Sequence, residues 1–166
     1  VVGRHPEKLA LLEARGIPLV VDPVLVSKSG AALLEPDAMP TLKKRLVLRA
    51  TVITPNLNEA VALVGREGPR RELSEQLHDL GAPAVIVTGG HGEPAVDHLF
   101  DGSEHVEIPV ERYDTGATHG AGCTHSATLT ALLAGGFSLV GAAVGAARAA
   151  SEAVRHGLAD FGAGGG

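Results

Sequence analysis

The sequence predicts an α/β fold: a mostly parallel sheet with helices on its faces and an antiparallel hairpin at one edge. Three observations predict it. Short, nearly continuous apolar runs at 17–22, 50–54 and 83–88 read as strands buried on both faces. Helical patterns separate them, an alternation that goes with parallel pairing. Then the pattern changes: the apolar runs 95–100 and 105–110 flank Asp101-Gly102-Ser103-Glu104, and Asp-Gly between two such runs is a hairpin signal.

Taken in order, residues 5–15 form a helix, with Pro6 in its first turn, Leu9 and Leu12 at helical spacing and Gly16 to end it. The first strand ends at Asp22-Pro23, a turn signal, so Asp22 lies at the C-terminal end of an expected central strand, the edge where open α/β sheets bind ligands. Residues 27–30 are a polar loop. Residues 37–49 read as one amphipathic helix, with Asp37 as cap and Lys43, Lys44 and Arg45 on its solvated side. The second strand breaks at Pro55-Asn56. Residues 58–64 are helical and Gly65 closes them; Glu59, in the first turn, reads most simply as a favourable dipole contact. A charged linker, 66–71, leads to a helix at 72–80 ended by Gly81. The third strand runs into Gly89-Gly90-His91. The last helix, 138–155, carries Ala142, Ala146 and Ala149 for close packing, and 162–166 is a flexible tail. No internal repeat or linker suggests a second domain.

Composition excludes several functions. A chain of 166 residues with 45% apolar residues can bury a core. Aromatics at 2% leave little to stack on bases, and a formal charge of −5 disfavours a hold on phosphate backbones, so no nucleic acid is expected. No run of about 18 apolar residues predicts a membrane helix. The single cysteine suits a reducing compartment, and no basic-then-apolar leader is visible, so the expected location is cytoplasmic. Residue 1 is Val and the only methionine is Met39; a non-standard start codon, processing or truncation would each explain this.

The most informative stretch is Asp114-Thr-Gly-Ala-Thr-His-Gly-Ala-Gly-Cys-Thr124, a polar, glycine-rich loop that runs into a helix carrying Leu129, Leu132 and Leu133 on one side. The amides of Gly120, Ala121 and Gly122 have no acceptor within the helix. Small residues there let an anion approach the backbone, and the helix dipole favours it. Cys123 shares the turn, where a thiolate is favoured. This is not a P-loop, which requires a Lys, nor a dinucleotide fingerprint, since no strand immediately precedes it. A tight lead into a closely packed helix is the bland alternative, and spacing leaves both open. By itself Cys123 is more often a small buried apolar residue than a reactive one, and its place in this turn raises the reactive reading. Zinc held by His119, Cys123 and His125 is disfavoured, because the loop-to-helix break spoils their facing and no Cys-x-x-Cys partner exists. His91 could serve a cysteine hydrolase but reads more simply as a hydrated turn residue.

Four ordered stretches together resemble the hydroxymethylpyrimidine (phosphate) kinases of thiamine biosynthesis, within the ribokinase-like superfamily. They are Val20-Val-Asp-Pro-Val24 with Ser27-Lys-Ser-Gly30; Thr54-Pro-Asn-Leu-Asn-Glu59; Gly89-Gly90-His91; and Asp114-Thr115 with Thr118-His-Gly-Ala-Gly-Cys-Thr124. The resemblance runs from about Ile17 to the C-terminus. It implies a ribokinase-like three-layer α/β fold and transfer of the ATP γ-phosphoryl group to a pyrimidine hydroxymethyl or its phosphate. By position, Gly120, Ala121, Gly122 and Cys123 would form the anion hole, with Cys123 as base; many ribokinase relatives have Asp there. Glu59 and Asn56 would belong to the Mg²⁺/phosphate motif, and Asp22 would lie by the metal and phosphates. Val24 would lie by the pyrimidine, and Thr88, Gly89, Gly90 and Thr115 near ATP. Two departures stand out. The family usually has Lys where Thr88 stands, and its N-terminal part, with early strands, much of the pyrimidine pocket and the usual dimer contacts, has no counterpart here. The expectation is a partial kinase domain over 1–166, with a core strand left as a sheet edge and a homodimer covering it. A pyridoxal-type kinase and a non-catalytic, degenerate ligand-binding domain are the rivals.

Overall fold

Val20–Val21 (β1), Val52–Ile53 (β2) and Val85–Val87 (β3) pair in parallel, Val20 opposite Val52 and Ile53 opposite Val85. The computed structural model describes residues 6–25, 39–89, 94–113, 115 and 120–157. Beside β3, Val96–Phe100 (β4) runs antiparallel, and His105–Pro109 (β5) turns back along β4, so the order is β1-β2-β3-β4-β5. Every strand except β4 therefore points the same way. The Asp101-Gly102 hairpin is as expected: Asp101 accepts from the amides of Ser103 and Glu104, and Gly102 has φ +96°.

Alternation along each strand divides the core between two faces. Val21, Ile53, Val85 and Val87 face Pro-free helices α3 (Leu57–Val64) and α4 (Arg70–Asp79), packing on Ala60, Leu63, Leu73 and Leu77. Val52, Ile86, Leu99 and Ile108 face α5 (Ala121–Ala134) and α6 (Leu139–Arg155), packing on Leu129, Ala142, Ala143 and Ala146. This is the expected three-layer α/β arrangement. In a core almost without aromatics, close approach replaces bulk: a Cβ on Gly145 of α6 would come within 2.5 Å of Leu132 of α5.

Three expectations need correction. The helix expected over 37–49 is α2 (Met39–Arg45) followed by a separate 3₁₀ turn, Val47–Arg49. The tighter turn buries Val47 and lets Ala50 become extended into β2. α4 begins inside the expected linker, since Pro69 presets the backbone just ahead of Arg70. β1, expected to be central, is a sheet edge among the described residues, and its ladder is short because Pro18 lacks an N–H and Pro23 follows. Thr51 compensates, its hydroxyl accepting from the Leu19 amide at 2.9 Å. α1 (Pro6–Ala14) stands close to where it was expected and buries Leu9. Among the described residues no helix is long and apolar enough to cross a membrane. The loop 27–30, the cap Asp37, Gly90, His91, Asp114, Thr118, His119 and the tail 162–166 lie outside the described residues.

Candidate active site

A cavity of about 320 Å³ opens at the C-terminal ends of β1, β2 and β3. Each strand delivers a polar residue just past its last paired position: Asp22 after β1, Thr54 and Asn56 after β2, Thr88 after β3. Parallel pairing brings them together, and a bridge between Asn56 and Thr88 extends the β2–β3 ladder to the rim. This is the edge where parallel sheets bind ligands, because every strand stops there and every following turn converges.

Asn56 caps α3. Its side chain accepts from the Glu59 amide at 2.9 Å, and Glu59 returns the contact by accepting from the Asn56 amide at 2.8 Å. Such a capping box stabilises a helix by about 1 kcal/mol. Glu59 is thus more than the simple dipole contact of the sequence reading: it is a cap residue, buried, with its carboxyl on the cavity wall. Burial pushes that carboxyl above its usual range; the Asn56 amide opposes the shift and the Asp22 charge adds to it. Asp22 is raised as well, by burial, against the pull of the Ser126 hydroxyl and of nearby His125. Ser126 Oγ lies 3.1 Å from Asp22 Oδ2 and 2.9 Å from the Gly122 carbonyl. Its one proton can serve only one of these acceptors at a time.

The opposite wall is the start of α5. Gly120 occupies the N-cap position at φ +84°, and no side chain caps this end, so the first-turn amides have no protein acceptor from a cap. Gly120, Ala121, Gly122 and Cys123 all line the cavity, and the Cys123 thiol is exposed. A Cβ on Gly122 would sit 4.0 Å from Asp22 Oδ2, which places the strand-end acid directly against the helix start. The turn is therefore an open one facing a carboxylate-lined space, not the tightly packed lead of the bland reading. Val24, 44% exposed, lines the mouth.

Gly89 and Thr115 are placed differently from the other expected residues, and neither lines the cavity. Gly89, two residues past β3, lies tight against the start of β4: a Cβ there would fall 1.7 Å from the Val96 carbonyl oxygen. Thr115 donates to the Val154 carbonyl at 3.0 Å and ties the loop to α6. Of the three residues weighed for zinc, Cys123 is exposed and His125 is buried, while His119 lies outside the described residues.

Sequence reasoning missed several lining residues. An apolar slot between the end of β5 and α6 is made by Val110, Ala147, Ala150 and Val154. Three buried polar groups line the cavity without a well-aligned hydrogen bond from the described residues: Thr54 Oγ1, Ser151 Oγ and both ring nitrogens of His125. Asp97, the second residue of β4, also reaches it. A charged residue inside the apolar run 95–100 was the available signal.

Comparison with known proteins shows what the chain as a whole is similar to. The family model described as phosphomethylpyrimidine kinase matches residues 8–166. The chain is 47% identical over 137 residues to a hydroxymethylpyrimidine/phosphomethylpyrimidine kinase of Rhizobium meliloti, covering 78% of this chain and 51% of that protein. Against the Bacillus subtilis protein of the same name it is 42% identical over 148 residues, covering 84% and 54%. The solved pyridoxal kinase of Staphylococcus aureus in complex with ADP matches with a TM-score of 0.80 at 31% identity, over 92% of this chain and 58% of that one. The chain spans about half the length of the curated relatives it matches.

Proposed function

The chain belongs to the phosphomethylpyrimidine kinase family, with a ribokinase-like fold, and on that premise we propose that it carries the nucleotide and phosphoryl-transfer part of a kinase. The reaction is ATP-dependent phosphorylation of 4-amino-5-hydroxymethyl-2-methylpyrimidine or its phosphate, in thiamine biosynthesis. One observation carries the reading: Asp22, Glu59 and the uncapped start of α5 with Cys123 face one cavity.

Phosphoryl transfer needs alignment and charge neutralisation more than covalent help from the protein. The amides of Gly120, Ala121 and Gly122 would hold the transferring phosphoryl oxygens, fixed dipoles where negative charge collects. Cys123 would take the proton of the attacking oxygen where that oxygen carries one, as the hydroxyl of the pyrimidine alcohol does. The new O–P bond forms on the γ-phosphorus as the bond to the β-phosphate oxygen breaks, and ADP leaves with that electron pair. Asn56, Thr88 and the Gly89-Gly90 turn would sit along the nucleotide, with Thr115 bracing the neighbouring loop and Val24 beside the pyrimidine.

Asp22 and Glu59 fit Mg²⁺: both are carboxylates on the cavity wall, both raised by burial, and the Asp22 charge bears on Glu59. Two carboxylates, with phosphate oxygens and water completing the shell, are what this ion takes. When bound it would neutralise phosphate charge. A cytoplasmic location, which a single free thiol suits, and a homodimer complete the reading.

A pyridoxal-type acceptor is the second reading, favoured by the likeness to the Staphylococcus aureus pyridoxal kinase. Both are tested by ATP turnover with the pyrimidine alcohol, its phosphate and pyridoxal, for this chain and Cys123→Ala. The expected result is turnover with a pyrimidine acceptor, lowered about a hundredfold or more by the substitution, with ADP binding retained. Turnover untouched by Cys123→Ala would remove the thiol as base. Preference for pyridoxal would move the chain to the second reading, and nucleotide binding without turnover would mark a non-catalytic domain.

A further inference from the structure

Asp97 and His125 are 3% and 4% exposed, and the mechanism above uses neither. Asp97 lies on β4 two positions from Leu99, which packs against the α5–α6 layer, so alternation turns its carboxylate to the same layer. There Oδ2 lies 3.1 Å from His125 Nε2, at ion-pair distance though not in well-aligned hydrogen-bond geometry. Oδ1 accepts from the Gly89 amide at 2.8 Å. One buried carboxylate therefore touches both the glycine turn after β3 and the second turn of α5. A buried carboxylate is costly unless it is paired or hydrogen-bonded, and these two contacts are what surrounds it here.

We infer that Asp97 and His125 are positioning residues, a buried carboxylate–imidazole link that sets the spacing between the Gly89 turn and the Gly120–Cys123 cradle. The inference rests on the reading of that cradle as the phosphate site. His125 orients the carboxylate, the carboxylate holds the Gly89 amide, and the glycine turn beside the cavity is held in register with the cradle across β4. Both segments lack side chains that could fix them: Gly89 has no room for a Cβ, and α5 begins without a capping side chain.

The test compares His125→Leu, His125→Gln, Asp97→Ala and Asp97→Asn in the full chain, reading amide hydrogen exchange at Gly89, and ATP kcat with acceptor KM. Gln keeps a donor for Asp97, and Asn keeps an acceptor for Gly89, so Asp97→Asn reads the link should Asp97→Ala fail to fold. Expected is exchange at Gly89 about tenfold faster in His125→Leu, with Gln close to the natural protein. For turnover, His125→Leu loses about tenfold or more in kcat, as misplacement of a reacting group does, with acceptor KM unchanged and partial rescue by Gln. Gly89 exchange at the natural rate in His125→Leu, or no difference between Leu and Gln, overturns the link. The exchange result stands whether or not the chain turns over ATP. A natural protein with a protected Gly89 amide and no nucleotide binding would sink the kinase reading and leave the link standing.

Discussion

Two glycines at the site are required for opposite reasons. Gly89 has an ordinary backbone but no space, since a Cβ would overlap the Val96 carbonyl at 1.7 Å. Gly120 has open space around its missing Cβ but sits at φ +84°. Gly89→Ala must push β3 and β4 apart, which as overpacking costs about 1–3 kcal/mol or more. Gly120→Ala carries only the left-handed penalty of about 1–2 kcal/mol. Denaturant midpoints should therefore order the natural chain above Gly120→Ala and Gly120→Ala above Gly89→Ala. Only Gly89→Ala should disturb the Gly89–Asp97 contact, and the reverse order would mean the turn at Gly120 is the tighter constraint. Asp22 was legible as a local signal, an acid closing an apolar run at a strand end. The local signals of Glu59 and of the Gly120–Cys123 turn left plainer readings open, and only the resemblance brought these residues to the same place as Asp22. Asp97 and His125 were not legible as a pair. Their meeting needs β4 to lie beside β3 and α5 to land on that face, which no local period encodes.

At the scale of elements, helices and strands were readable where apolar spacing and glycine ends agreed. Gly16, Gly65 and Gly81 end their helices at φ +62°, +89° and +106°, as expected of glycine in that conformation. The expected helix over 37–49 was split because burying Val47 and straightening Ala50 outweighed continuing the amphipathic pattern. The join between α4 and the β4–β5 hairpin holds a second unanticipated cluster. His98 Nε2 and His105 Nδ1 are 2.8 Å apart, His105 Nε2 lies 3.0 Å from Glu75, and His105 stacks on Phe100 at 4.3 Å. Burial holds His98 below the usual histidine range; the charge of His105 adds to this, Glu107 opposes it, and Arg71 and Arg70 add to it. Unfolded, His98 takes up a proton near its ordinary 6.5; folded, it does so only at lower pH. Between those values the unfolded state binds more protons, so stability is present above the window and is lost as pH falls through it. His98→Gln, which keeps a donor for His105, should flatten the fall in Tm between about pH 7 and pH 5. Parallel Tm curves for the two proteins would assign the acid sensitivity elsewhere.

The whole molecule is a sheet with one core on each face and its cavity at one end, and this arrangement ties stability to the ligand. β1 reads as central from its apolar run, yet it pairs only with β2 among the described residues, in keeping with the expectation of a core strand left at the sheet edge. Its Asp22 nevertheless meets α5, which crosses over from the far end of the chain. Asp22 and Glu59 are both raised by burial. The folded protein holds those protons more tightly than the unfolded chain, so their contribution to stability is present below the ordinary carboxylate range and is lost as pH rises through the folded values. At neutral pH the cavity thus keeps carboxylates in a setting that disfavours their charge, and a divalent cation, if bound there as proposed, would relieve it. Mg²⁺ with ADP at about a hundred times its Kd should stabilise the chain by about 2.7 kcal/mol, roughly 5–10 °C in Tm. Asp22→Asn removes a desolvated charge, so its Tm without ligand should equal or exceed that of the natural chain at pH 7, while its response to Mg²⁺ with ADP shrinks. Glu59→Gln keeps an acceptor for the Asn56 amide, so the cap survives while the ligand response falls. Calorimetry of the three proteins with Mg²⁺ alone, ADP alone and both decides the matter. If ADP alone gives the full shift, or Asp22→Asn responds like the natural chain, the two acids do not form the cation wall of this site.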